Sequence, residues 1–494
     1  MPTKRIGYFL TIVGAIAFLA SVLLDFVSPG DWGIGASQIL GMIAGVTLVL
    51  LGTFLVFLYP NRQLDIRSGV QSITQRILDL PVSVWVLVGF AIVYVAFYLS
   101  PVFFNAERSL WYFNRYIPDK NPIGVDIQAI MRYIQDWLLS GQSPYADGFI
   151  AYPPLALVLF SPLMLIGYPA FYFVMTALTL FFHLGSALIV SLFIKRYQDV
   201  SLALLFFGLS LFSYGLQFEL ERGQFNVIAF SLCLIGIYIF HSHYEFRYFA
   251  YLLFTLGVQL KIYPVILIVM FIRDWHDWKG NLKRFAGMAL LNLALLFILG
   301  FPFFGGFLRA VSGQQSLGST WNGNHSLKGF VDNLVRDGFG LFQPEILTTL
   351  QQSYRGIELL LFVIIALCFL TVIFHSYVQN RSNPNPFLLL LCTICALIIP
   401  SISNDYKLPI LTAPIAAVIC GLALPEHRWK RIAAIILVLV LSMAYWSTLY
   451  PFSVKPSILT RTFPALFIIL IVATALHFVV STSRAAPPAE HVGE

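Results

Sequence analysis

The chain has 494 residues, of which 59% are hydrophobic and only 11% are charged, and its formal net charge is +7. A soluble domain carries about 25% charged residues, so this composition excludes an ordinary water-soluble protein and predicts an all-α polytopic membrane protein. The basic residues fall mainly between apolar runs, as the positive-inside rule predicts for membrane proteins, and a nucleic-acid partner is therefore disfavoured.

Apolar runs of about 20 residues predict the transmembrane helices, because an α-helix of that length crosses a bilayer. They lie at 6–27, 38–60, 82–104, 168–194, 199–215, 226–242, 284–304, 357–378, 386–403, 408–424, 432–450 and 463–481. Basic residues in alternate loops predict that both termini are cytoplasmic. We therefore expect about twelve transmembrane helices.

This pattern divides the chain into five regions. The regions are two N-terminal helices in 1–81, a membrane core in 82–304, an outer loop in 305–356, C-terminal helices in 357–483 and a disordered cytoplasmic tail in 484–494. The core contains a further long outer loop, 105–152. Long loops with aromatic residues and periodicity are usually functional, so we expect the active surface on the outer side.

The first outer loop contains a helical pattern, DIQAIMRYIQDWLL, that begins at Asp126. Its apolar residues, Ile127, Ile130, Ile134 and Leu138 among them, fall on one helical stripe. Such a helix is expected to lie along the outer membrane interface with its apolar face toward the lipid.

The run 247–272 does not fit a single crossing. It is followed by four basic residues, between Arg273 and Arg284, which a single crossing would place outside. The run is interrupted by the sequence KIYP at 261–264, and a proline at such a position breaks a helix. Two helical segments that meet there and return to the cytoplasmic side satisfy the charge rule, which predicts a re-entrant hairpin with Lys261 deep in the membrane.

Asp126 is the first candidate for chemistry. It can be a helix N-cap, because Asp is a favoured cap residue, or a general base at the outer face, and a residue can serve as both. Tyr145 and Tyr152 follow in the same loop, and they can be aromatic-belt residues or substrate ligands.

A second polar group lies in the tight outer turn ELERGQFN at 219–226. Arg222 can be an interfacial anchor or a phosphate ligand, and Asn226 can be an N-cap. Lys261 can be a ligand of an anionic headgroup or part of a buried structural ion pair with a carboxylate, and the first is favoured because a lysine inside a membrane is costly. In the C-terminal half, Asn324, His325 and Asp405 are further polar candidates in outer segments.

These motifs, in this order, resemble the polytopic glycosyltransferases of the GT-C class. The resemblance is strongest to glycosyltransferase family 87, the relatives of polyprenyl-phosphate-mannose-dependent α-mannosyltransferases. The matching elements are Asp126, the GQSPY sequence at 141–145, the YPP sequence at 152–154, the GQFN turn at 223–226 and the KIYP break at 261–264. The similarity covers roughly residues 82–330.

The resemblance implies a GT-C-like fold with its active site on the outer face, in a prokaryotic cell membrane. It implies that Asp126 is the catalytic residue. The candidates for binding the donor phosphate or the substrates are Arg222, Lys261, Gln224, Asn226, Tyr145, Tyr152, Tyr263, Asn324, His325 and Asp405. The expected partners are a polyprenyl-phosphate sugar donor, a glycan, glycolipid or protein acceptor, and the lipid bilayer.

The positions of the candidate residues also fit a glycosyl transfer without reference to the family. Transfer from a lipid phosphate needs a base for the acceptor hydroxyl and cations for the leaving phosphate. A single carboxylate implies one inverting displacement. The sequence lacks a D-x-D pair, so no metal or other cofactor is expected. The alternative is a transporter or flippase of a lipid-linked sugar, which needs the cations but no base.

Overall fold

The described residues of the computed structural model are almost entirely helical. They are 123–148, 150–193, 206–208, 210–211, 213–316, 323–380, 384–421 and 462–483, with isolated positions at 12–14, 16, 89 and 92. Most of the predicted spans 6–27, 38–60, 82–104 and 432–450, the start of the first outer loop and the tail 484–494 therefore lie outside the described residues.

Helix α1, Val125–Ser140, is the predicted helix of the first outer loop. It begins after Gly124 and ends at Gly141, and both glycines have the left-handed backbone conformation that glycine adopts at low cost. Ile127, Ile130 and Ile134 are buried against other protein segments. The expectation that this stripe faces lipid is therefore wrong, because neighbouring helices cover it.

The next segments lead to the outer turn. Helix α2 spans Pro154–Phe160, a 3-10 helix spans Ser161–Ile166, and α3 spans Gly167–Phe193. Helix α4, Tyr214–Arg222, and helix α5, Asn226–Ser242, follow and meet at an angle of 112°. The last residues of the predicted span 199–215 belong to a new helix, because α4 begins at Tyr214 with Ser213 as its N-cap.

The run 247–272 is broken at Lys261. Helix α6, Arg247–Leu260, ends there, and a 3-10 helix, Tyr263–Phe271, follows. The Arg273 guanidinium lies 5.1 Å from the ring centre of Tyr244, and the Phe271 ring lies 5.9 Å from the Tyr251 ring. The second segment therefore returns to the end at which α6 began, and the chain reverses direction at Lys261.

Lys261 does not lie halfway along the neighbouring helices. Its side chain contacts Gln224 in the turn before α5, while the other end of the hairpin packs against the last residues of α5 through His241 and Met270. The hairpin thus extends along the whole of α5. Lys261 therefore lies at the end of α5 that carries the turn 219–226, and its depth in the membrane stays a prediction.

Helix α7, Trp278–Leu296, begins earlier and ends earlier than the predicted span 284–304. Gly300 has a φ of 89°, and α8, Phe301–Ser316, leaves at 103° to α7. The apolar run was predicted as one straight span, but the left-handed glycine turns the chain inside it. The start of the second outer loop is consequently helical.

The C-terminal half completes the described fold. Its helices are α9, Leu327–Asp337, α10, Pro344–Gln352, α11, Tyr354–Gln379, α12, Pro386–Ile398, α13, Thr412–Gly421, and α14, Thr462–Ser483. A 3-10 helix, Asp405–Leu411, precedes α13. The largest buried cluster lies where α5, α6, α12, α13 and α14 pack together.

Only some of the twelve predicted spans correspond to helices in the described segments. There, α11 is the one helix that is both long and apolar enough to cross a bilayer alone, and the bent pairs α4–α5 and α7–α8 each reach that length together. Helices α3 and α14 also coincide closely with the predicted spans 168–194 and 463–481. The chain is a helical membrane protein, and the total of twelve spans stays a prediction.

Candidate active site

The site is built where α1 meets the turn between α4 and α5. The Gly124 amide donates a hydrogen bond of 2.5 Å to the Glu221 carbonyl, and a Cβ atom at Gly223 would lie 2.5 Å from Ile127. Gly223 also has a φ of 69°, which disfavours other residues. These two glycines allow the backbone of α1 to approach the turn closely, and this contact places Asp126 beside it.

Asp126 lies in the first turn of α1. The N-cap position belongs to Gly124, and no side chain caps the helix, so the N-cap interpretation of Asp126 is wrong. A carboxylate in a first turn is still stabilised by the helix dipole. Burial raises the pKa of Asp126 above its ordinary value, while the Gln224 amide and the Lys261 charge oppose that shift.

Gln224 connects the acidic and basic parts of the site. Its amide nitrogen donates to Asp126 Oδ2 and to the Tyr152 hydroxyl, the latter at 3.3 Å. Its amide oxygen accepts a 2.7 Å hydrogen bond from Lys261 Nζ. The Lys261 ammonium also lies 4.3 Å from the Tyr152 ring centre and 4.4 Å from that of Phe225. Its direct partners are thus an amide and two rings, and Asp126 acts on it only through a longer Coulomb interaction.

The turn between α4 and α5 carries more charged side chains than a short connection between two helices requires. Arg222 lies 3.9 Å from Asp126 Oδ1 and 3.4 Å from the Glu221 carboxylate. Both Glu221 carboxylate oxygens are buried and lack a hydrogen-bond partner among the described residues. Such groups are costly to bury, so these oxygens are available to accept hydrogen bonds.

Asn226 and Tyr263 stabilise the turn from the opposite side. The expected N-cap role of Asn226 is wrong, because Phe225 holds that position. The Asn226 side-chain oxygen instead accepts a 3.2 Å hydrogen bond from the Tyr263 hydroxyl. Glu219 accepts the Val227 amide at 2.8 Å, which satisfies a free N–H at the start of α5.

Tyr145 and Tyr152 have different surroundings. The buried Tyr145 hydroxyl donates to the Tyr152 backbone carbonyl at 2.8 Å, and the Tyr145 ring packs against Phe307. Tyr152 reaches Gln224 and Lys261 directly. The structure therefore brings Tyr152 into the site, whereas Tyr145 supports the backbone of Tyr152.

Asn324, His325 and Asp405 form a separate cluster. His325 Nδ1 lies 3.0 Å from Asp405 Oδ1, and its Nε2 lies 3.0 Å from the Ser403 hydroxyl. Burial lowers the pKa of His325 below 6.5, with Asp405 opposing the shift. Asn324 pairs in an antiparallel bridge with Asn404, and its side-chain oxygen accepts the Ser403 amide at 2.9 Å. This cluster joins the second outer loop to the segment after α12.

The residues that follow Asp405 approach the main site. The Tyr406 ring packs against Phe218 of α4 at 5.5 Å, and its hydroxyl interacts electrostatically with Asp126 and Arg222. The Lys407 ammonium lies 5.2 Å from the Tyr263 ring centre. The sequence predicts that the short turn of Asp405, Tyr406 and Lys407 faces the cavity, with Asp405 as the substrate ligand. Tyr406 and Lys407 approach the site, whereas Asp405 faces His325.

An open groove of about 750 Å³ begins beside the site. Ile262 and Tyr263, which directly follow Lys261, form one end of its lining. Its apolar wall contains Val265, Ile266, Leu359, Phe362 and Ile399. Lys328 and Arg355 also line it, and Lys328 is paired with Asp332 at 3.0 Å. The acidic Glu358 lines it as well, so the groove is an apolar surface that carries two cationic residues and one acidic residue.

Comparison with known proteins identifies the family. The family model for glycosyltransferase family 87 matches residues 149–400, just over half of the chain. No curated protein and no solved structure matches the sequence. The matched region contains the turn 219–226, the hairpin with Lys261 and all of the groove lining except Ser401, while Asp126 and Lys407 lie outside it. The chain belongs to glycosyltransferase family 87 and is a membrane glycosyltransferase.

Proposed function

We propose that this enzyme transfers a sugar from a polyprenyl-phosphate donor, with mannose as the leading candidate, to an acceptor hydroxyl at the outer face of the membrane. The observation that carries the proposal is the continuous contact from Asp126 through Gln224 to Lys261. It places a carboxylate suited to accept a proton next to a cation suited to bind a phosphate.

The proposed reaction is a single displacement. Asp126 takes the proton of the acceptor hydroxyl as the acceptor oxygen forms a bond to the anomeric carbon. The bond from that carbon to the phosphate oxygen breaks, and its electron pair remains on the leaving lipid phosphate. One carboxylate acting as base on the face opposite the leaving group gives inversion of configuration. The proposal involves no bound metal.

Gln224 has the geometry of a positioning residue in this reaction. It holds one Asp126 oxygen by its amide nitrogen and holds the Lys261 ammonium by its amide oxygen. Arg222, at 3.9 Å from the other Asp126 oxygen, adds positive charge on the same side. The base is thereby fixed in orientation before the substrates bind, which reduces the entropy lost at the transition state.

The groove supports a lipid-linked donor over a water-soluble sugar nucleotide. An isoprenoid chain is apolar and its phosphate is anionic, and the groove joins an apolar wall to Lys261 through Ile262 and Tyr263. Apolar ligands gain free energy in proportion to the apolar area that they bury. We therefore place the donor chain in this groove and its phosphate beside Lys261.

A transporter or flippase of a lipid-linked sugar is the competing function. It would use the groove and the cations, but it would need no base. Membership of a glycosyltransferase family and the raised pKa of a carboxyl beside the cation both favour chemistry over transport.

The decisive experiment replaces Asp126 by Asn in the purified full-length protein. The substrates are a labelled polyprenyl-phosphate mannose and the lipid extract of the source membrane as acceptor, and the readouts are released polyprenyl phosphate and labelled glycan. Loss of a general base typically costs about 10²–10⁴ in rate, so we expect Asp126→Asn to lose at least about 99% of transfer while it still binds the donor.

Asp136→Asn is the matched control, because Asp136 lies on the same helix, is only partly buried and does not belong to its buried stripe. It should transfer sugar at the wild-type rate. A fully active Asp126→Asn protein would remove Asp126 as the base. Wild-type protein that moves the donor between leaflets but releases no polyprenyl phosphate would instead establish the transporter.

A further inference from the structure

Lys407 is a buried cation that the proposed reaction has not yet used. It lies in the 3-10 helix Asp405–Leu411, and only 8% of its surface is exposed. Its ammonium donates a 3.0 Å hydrogen bond to the Ile402 carbonyl and lies 5.2 Å from the centre of the Tyr263 ring.

The partners of Lys407 are weak for a buried charge. No carboxylate lies within ion-pair distance of its ammonium among the described residues. A backbone carbonyl and an aromatic face together compensate only part of the cost of removing an ammonium group from water. Buried cations are normally paired with an anion, so this position is suited to an anionic ligand.

Lys407 and Lys261 converge on the same place. Their charges are close enough to repel each other, and Lys407 lies against Tyr263, two residues after Lys261 in the chain. Tyr263 also lines the groove, as does Ser401, the residue before the Ile402 carbonyl that holds Lys407. Two like charges held this close are stabilised by an anion placed between them.

We propose that Lys407 is a second phosphate ligand of the lipid donor, acting together with Lys261. This inference rests on the proposed function, since it assigns the phosphate of a polyprenyl-phosphate sugar. The intact donor is a phosphodiester with one negative charge. When the bond between the anomeric carbon and the phosphate oxygen breaks, the phosphate keeps the electron pair and leaves as a monoester with a charge approaching −2. A second cation therefore binds the leaving group more strongly than the intact donor.

This charge difference separates a phosphate ligand from a residue that only stabilises the fold. A structural lysine would support the 3-10 helix, and its replacement would weaken the binding of every ligand alike. A phosphate ligand would affect polyprenyl phosphate, the product, more than the intact sugar donor. The product-to-donor affinity ratio is accordingly the quantity to measure.

The experiment compares wild type with Lys407→Met, Lys407→Gln and Lys407→Arg in the full-length detergent-solubilised protein. Equilibrium binding is measured for polyprenyl phosphate and, without acceptor, for polyprenyl-phosphate mannose. Charge-assisted hydrogen bonds are among the strong ones, so we expect Lys407→Met to bind polyprenyl phosphate about tenfold or more weakly, with a smaller loss for the intact donor. Lys407→Arg should retain most of the binding.

Lys407→Gln keeps a hydrogen-bond donor for the Ile402 carbonyl, and it decides the question if the Met variant does not fold. Arg284→Met is the matched control, because Arg284 also donates to a backbone carbonyl, at 2.8 Å, and lies over an aromatic ring. It is at the opposite end of the hairpin and should leave both affinities unchanged.

The outcomes distinguish the two proposals. Wild-type protein that binds neither lipid would overturn the proposed function itself. If the wild type binds both lipids and the Lys407→Gln variant keeps the wild-type product-to-donor ratio, Lys407 is a structural residue and this inference fails.

Discussion

Two polar clusters of this protein are both buried, but they differ in how completely their atoms are paired. In the cluster of His325 and Asp405, both histidine nitrogens have partners at 3.0 Å, and the Asp405 carboxylate also accepts the Thr462 hydroxyl at 3.1 Å. Around Asp126, the described residues give the Lys261 ammonium only a neutral amide as hydrogen-bond partner, and they give the Glu221 carboxylate oxygens none.

This difference indicates separate roles. A fully satisfied polar network rigidifies the fold, and its parts are costly to remove because a partner is left unpaired. A network that leaves charged atoms without hydrogen bonds can hydrogen-bond to a ligand. We therefore interpret the His325 cluster as a fold-stabilising contact between two segments, and the Asp126 cluster as the surface that binds substrates.

Of the changes that test the different roles of the two clusters, replacing Lys261 should lower sugar transfer the most. Lys261→Met removes the ammonium but keeps a side chain of similar length between the Tyr152 and Phe225 rings. The loss of a charge-assisted contact to the phosphate should lower kcat/KM for the donor about tenfold or more, while the thermal midpoint stays within a few degrees of the wild type. If Lys261→Met transfers sugar at the wild-type rate, the phosphate is bound by Arg222 and Lys407 instead.

The second effect is on stability and concerns His325. His325→Ala leaves the buried Asp405 with one partner fewer, which should lower the free energy of unfolding by about 1–3 kcal/mol. The thermal midpoint falls, whereas transfer per folded molecule remains within about twofold of the wild type. His243→Ala is the control, since His243 is half exposed and should change neither quantity. Lost transfer at an unchanged midpoint would place His325 among the substrate ligands after all.

The smallest effect is a difference in pH dependence. Asp126 must be ionised to accept a proton, and burial raises its pKa above the ordinary carboxyl value of 3.8. As the pH is lowered, kcat/KM should therefore begin to fall at a higher pH than an ordinary aspartate would give. The pKa of His325 is lowered in the fold, so the unfolded chain takes up a proton first as the pH drops below 6.5. Its contribution to stability is complete above 6.5 and declines below it.

The two acid effects can be measured separately. The acidic limb of the kcat/KM profile should be the same in wild type and His325→Ala, because it belongs to Asp126. The decline of the thermal midpoint below pH 6.5 should be shallower in His325→Ala, because the titrating group is gone. An activity limb that moves with the His325 variant would show that the two clusters are coupled.

Several elements of the fold followed from local patterns alone. The predicted span 226–242 coincides with α5, because a glycine turn and a continuous apolar run mark both of its limits. The break at Lys261 followed from the proline at 264. The predicted span 284–304 is divided between α7 and α8, since hydropathy does not register the left-handed turn at Gly300.

The sequence by itself determined that this is a helical membrane protein of glycosyltransferase family 87, where its helices break, and which polar residues stand out against an apolar chain. Only the tertiary structure decided which of those residues meet. Gln224 donates a hydrogen bond to Asp126, which lies 98 residues earlier in the chain. Asp405 and Lys407 belong to the same 3-10 helix, yet Asp405 contacts His325 and Lys407 contacts Tyr263. Periodicity and hydropathy are local properties of the chain, whereas the pairing of buried charges depends on distant segments that packing brings together.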